Sequence, residues 1–198
     1  MPAVPRSGDD VRARLRDLAR DVFAFDLDAY LAAFGRELWG VTLRGHSAPY
    51  GPLFGEPNVE RLAAMPYVDS EAGYCADVGH YLPGVAADVF LVKPDRLLEG
   101  EFEFDALLVH ELAHLLCDPD LRELPMIAPE PPTSGFVRRL KNFVPDDWHH
   151  TERFFAIFVA GCRRLGELSG RSTLDTIAAG LRHEQWFDAE YLAQHCAD

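Results

Sequence analysis

The segment 104-FDALLVHELAHLLC-117 decides how this chain is read. It is apolar nearly all the way round, which is the pattern of a buried helix rather than of a surface one. Beyond Asp105 near its start, three polar side chains interrupt it in the order His-Glu-x-x-His: His110, Glu111 and His114. On a helix, positions i and i+4 share one face, a single turn apart. Both imidazoles can therefore aim a nitrogen at one point about 2 Å from each, as tetrahedral zinc requires. Glu111 lies about 100° round the helix from His110, near that point without being forced to ligate. Burying these groups among leucines would cost kilocalories unless they are paired or metal-bound.

A catalytic zinc normally has three protein ligands and an open position, so a third ligand is sought outside the motif. The best placed is His150 in 146-DDWHHTERFFAIF-158, at the start of a second apolar segment, 148–168. Its neighbour His149 competes for the role, because only one of two adjacent residues readily faces one point. Asp120 is a second alternative, from laying HELAHLLCDPD over His-Glu-x-x-His-x-x-Gly-x-x-His/Asp, with Met126 as a Met-turn. Cys117 stands where that pattern needs a glycine to turn the chain. Glu152 is a further carboxylate option.

HELAH followed downstream by HTERF resembles the zincin metallopeptidases, and more narrowly is similar to SprT-like proteins. In those proteins the third histidine starts a helix and an aromatic residue follows some four positions later. The resemblance covers residues 86–165 and implies His110, His114 and His150 as metal ligands, Glu111 as base, and one zinc ion. It also implies an edge strand along a substrate cleft, matched here by ADVFLVKP. The chain departs from that family in carrying Thr151 where glycine is usual, and in the length of its 114-to-150 gap.

The remaining sequence frames this centre. At 198 residues, with 48% hydrophobic and 26% charged residues, the chain suits one domain with a real core. Residues 9–38 read as two amphipathic helices broken near Phe25–Asp26. Residues 38–45 and 86–94 read as strands, with two more short ones within 63–79. Residues 46–62, holding three prolines and two glycines, read as loop. The five prolines of 119–135 open a surface excursion or lid spanning 119–147. STLDTIAAGL and FDAEYLAQHC close the chain as shorter helices.

Strands followed by helices predict an α+β, zincin-like fold. The expected picture is a small mixed or antiparallel sheet packed on the active-site helix, with further helices, in a single domain over 1–198. Residues 1–35 would be its N-terminal helices.

The balance of 32 acidic against 19 basic residues, a net charge of −13, repels phosphate backbones and argues against nucleic acid. No stretch is apolar enough to span a membrane. Residues 1–20 lack a signal-peptide apolar region, and the four cysteines are widely spaced, so a reducing cytoplasm is expected.

The expected partner is a peptide or protein substrate. The expected activity is that of a zinc metallopeptidase, with Glu111 deprotonating a zinc-held water. The alternative is a non-catalytic zincin-fold binding or regulatory protein that keeps a structural zinc. Endopeptidase, exopeptidase and amidase remain unseparated, since a fold alone implies none of them. His80, Tyr74 and Tyr81 are lesser candidates for carbonyl or oxyanion contacts. Cys117 reads as a small buried residue, Arg138, Arg139 and Lys141 as a solvated helix face, and His183 and His195 as surface.

Overall fold

The computed structural model describes residues 8–35, 37–42, 79–83, 87–92, 100–117, 128–129, 134–143, 150–182, 184 and 186–196. The chain begins with helices α1 (Gly8–Phe23) and α2 (Leu27–Phe34). The break falls where the sequence placed it, and its chemistry is local. Ala24 takes a φ of +50°, and the carboxylate of Asp26 then caps α2 by accepting from the Ala29 N–H at 2.9 Å. Gly35, in the left-handed conformation at φ +60°, ends α2 with its N–H directed to the Ala32 carbonyl.

Three short strands follow: β1 (Glu37–Thr42), β2 (Gly79–Pro83) and β3 (Ala87–Val92). They pair in the order β1-β3-β2, with Glu37 opposite Ala87 in parallel and Gly79 opposite Val92 in antiparallel register. Helices α3 (Glu101–Leu116), α4 (Gly135–Phe143), α5 (Glu152–Ser169), α6 (Thr173–Leu181) and α7 (Ala189–Cys196) complete the chain. Among the described residues no helix is long and apolar enough to cross a membrane.

The α+β expectation is corrected by this distribution. Among the described residues, helices far outweigh the three short strands. Among the described side chains, the buried core apart from Phe25 and Leu38 stands on helices. The structure therefore points to a helical fold, not to a zincin-like sheet with helices laid on it. The physical reason is where apolar surface is concentrated. Residues 104–116 and 154–165 are buried nearly all round, and α3 and α5 bury that surface chiefly against other helices, with β2 also packed on α3. Short β-branched runs signal a local preference, but among the described side chains the strands contribute only Leu38 to the core. The expected short strands within 63–79 and the loop 46–62 lie outside the described residues, but for Gly79 at the start of β2.

Helix–helix approach is close where glycine allows it. A Cβ at Gly161 on α5 would stand 2.5 Å from the Phe23 ring of α1 and 3.1 Å from Val109 on α3. One at Gly180 on α6 would stand 2.9 Å from the Ala106 carbonyl oxygen on α3. These contacts fix α5 and α6 directly against the helix that carries the His-Glu-x-x-His motif. The excursion expected over 119–147 also needs revision in its second half. Residues 135–143 form α4, which buries Val137 and Leu140.

Candidate metal centre

The centre is assembled from two helices. His110 and His114 stand one turn apart on α3, and the Nε2 atoms of the pair are 3.1 Å apart. His150 immediately precedes Thr151, the N-cap of α5, whose hydroxyl accepts from the Phe154 N–H at 3.2 Å. Thr151, at the position where the resemblance suggested glycine, thus starts the helix that delivers His150. Arg153, the second residue of α5, donates from Nε to the Cys117 carbonyl and from Nη2 to that of Leu116, each at 3.3 Å. Those carbonyls lie at the C-terminal end of α3 and lack helical partners of their own. The start of α5 is therefore tied to the end of α3, and His150 reaches His110 with Nε2 atoms 3.5 Å apart.

His110 and His150 are buried, at 1% and 5% exposure, and His114 is half-buried. The three form a group able to hold a metal ion, with ligand atoms all within 4.8 Å of one another. Bonds of about 2.0–2.1 Å in a tetrahedral complex place neighbouring ligand atoms about 3.4 Å apart. The observed 3.1 and 3.5 Å fit that span. Three imidazoles suit zinc, copper, iron or nickel, so this donor set fits a divalent transition metal without naming one.

An aromatic shell holds the rings in place. Phe154 stacks on His114 at 4.3 Å between centroids and meets His110 at 5.0 Å and His150 at 4.8 Å edge-on. Phe158 packs on His110 at 5.4 Å, and Trp186 on His150 at 5.4 Å. Glu111, next to His110 on α3, is 1% exposed.

One residue at this centre was not foreseen from the sequence. Glu184, between α6 and α7, brings Oε1 to 3.5 Å from the Nε2 of His110 and 3.4 Å from that of His150. Its segment, LRHEQWFD, has no periodic pattern and no recognisable motif. A carboxylate that arrives from a loop leaves no spacing signal.

The other candidates fall elsewhere. Glu152 is exposed on the first turn of α5 and is not in the histidine group. Cys117 caps α3 and packs against the core, and burial pushes its thiol up to about 12, with Arg153 acting in the opposite sense. Arg138 and Arg139 are exposed on α4, and Lys141 is half-buried. His195 is exposed and stacks on Tyr191 at 4.0 Å. Asp120, Met126, His149, His183 and Tyr74 lie outside the described residues, and of His80 and Tyr81 only the backbone, on β2, is described.

Comparison with family models, with curated proteins and with solved structures finds no match to this chain. The site must be interpreted from its own chemistry.

Proposed function

We propose that this protein is a zinc-dependent hydrolase, a metallopeptidase of the His-Glu-x-x-His type, acting on peptide or protein substrates in the cytoplasm. The observation that supports this reading is the meeting of His110, His114 and His150, from two helices, at distances that suit one tetrahedral ion. The sequence interval between the second and third histidines gives no local reason for that meeting.

A zinc ion in this position would supply Lewis acidity, polarising a substrate carbonyl and lowering the pKa of water to about 7. The three imidazoles would hold it, and the Phe154 shell keeps them from turning away. Glu111 acts as general base through its carboxylate, accepting a proton from the attacking water and passing it to the leaving amine. A purely structural site would have no use for a glutamate at this position of the motif, which favours the hydrolase reading over a non-catalytic binding protein.

The test is Glu111→Gln, assayed for metal content and for cleavage of a peptide library side by side with the wild type. The substitution should leave the metal in place and abolish cleavage. Full cleavage by the variant would remove Glu111 from the mechanism.

A further inference from the structure

This inference rests on the metal reading above and deepens it. We propose that Glu184 is a fourth protein ligand of the ion held by His110, His114 and His150, so that the resting centre has a His3Glu shell. Four distances carry the argument. The His110–His114 and His110–His150 pairs are separated by 3.1 and 3.5 Å, and Glu184 Oε1 stands 3.5 and 3.4 Å from His110 and His150. Each of these four matches one edge of a tetrahedron with bonds of about 2.0–2.1 Å. A direct charge-assisted hydrogen bond between imidazole and carboxylate would be shorter, about 2.7–2.9 Å. The carboxylate thus stands at a separation from His110 and His150 that a shared cation would span.

The loop is built to keep it there. The Glu184 N–H donates to the Leu181 carbonyl at 2.9 Å, and the Glu184 carbonyl accepts from the Phe187 N–H at 3.0 Å. Two residues on, Trp186 packs edge-on against His150, and Phe187 packs on the core. Glu184 therefore sits between two anchored points, with its side chain 20% exposed on the approach to a largely buried group. Catalytic zinc sites usually leave one position open. A carboxylate in that position would have to give way to a substrate.

The experiment is titration of metal-free protein with cobalt(II), followed by its visible absorption, for wild type, Glu184→Gln and Glu184→Asp. Far-UV circular dichroism of each protein checks the fold. The wild type should give the intense bands of four-coordinate cobalt. Glu184→Gln should shift and weaken those bands, and raise the dissociation constant at least about 10–100-fold, the range seen when even outer-shell partners are lost. Glu184→Asp, which keeps a shorter carboxylate, should fall between the two and serves if the glutamine variant does not fold. Superimposable spectra with equal affinity would overturn the proposal. A loss of affinity with unchanged bands would overturn it too, since Glu184 would then act only through a histidine. Failure of the wild type itself to take up cobalt would sink the metal reading, and this inference with it, and is recognised before any variant is measured.

Discussion

Replacing Gly161 with alanine tests whether the packing of α5 against α1 and α3 sets the metal centre. The new Cβ would lie 2.5 and 2.6 Å from two atoms of the Phe23 ring and 3.1 Å from Val109 Cγ1. Carbon atoms in contact prefer about 3.5–4.0 Å, so something must move by roughly 1 Å. Phe23 is fully buried. Over-packing of this kind costs about 1–3 kcal/mol. Alanine also favours the helix over glycine by about 1 kcal/mol, which offsets part of the loss. The net destabilisation is up to about 2 kcal/mol, or up to roughly 8 °C in melting temperature for a chain of this size.

Val109 precedes His110, so a shift of α5 away from α3 also stretches the His110–His150 pair. Thermal melts of the metal-free protein should show the loss, and metal titration should show weaker binding. Adding Phe23→Leu, which gives up ring volume at the clash, should recover part of both, a non-additivity expected of residues in contact. A Gly161→Ala protein that melts at or above the wild-type temperature would refute the packing argument.

Arg14 and Asp105 form a largely buried bidentate pair between α1 and α3, with Asp105 only 7% exposed at its side chain. Burial raises the Asp105 carboxyl above the ordinary carboxylate range, with the Arg14 guanidinium holding it down. Arg14→Met leaves that carboxylate uncompensated and should cost about 3 kcal/mol near pH 7, the low end for a broken buried pair. A carboxyl raised in the folded state favours folding most when protonated, so the deficit should shrink as pH falls towards 4. Chemical denaturation across that range checks it, and a deficit that grows on acidification would contradict it.

Thr151→Ala removes the α5 cap and should cost about 1 kcal/mol, whereas Thr151→Ser should be near neutral. Burial raises the thiols of Cys117, to about 12, and of Cys162. Both should therefore alkylate far more slowly at pH 8 in native protein than in urea. Rapid native labelling of either, read by peptide mass spectrometry, would refute the burial.

What was legible in the sequence is what helical geometry makes local. The i, i+4 spacing of His110 and His114 gives their shared face, and the apolar run after His150 gives a second helix able to dock beside the first. Asp26 marks the start of α2 by cap chemistry alone. Glu184 was hidden because a loop carboxylate has no period, and its approach depends on how α6 and α7 pack. The fold class was misjudged because short β-branched runs were weighed by their order along the chain. Capacity to bury surface lay instead with α3 and α5. Helix α4 was partly legible, since Arg138, Arg139 and Lys141 read as a helix face and Val137 and Leu140 sit at helical spacing.

The most direct test of the metal centre is elemental analysis of metal per chain on wild type and His150→Ala, purified side by side and checked for fold. The account predicts about one equivalent of zinc in the wild type, lost with His150 and unaffected by Asp120→Ala. A well-folded wild type that binds no metal even after zinc is added back, or a His150→Ala protein that keeps its full complement, would contradict it.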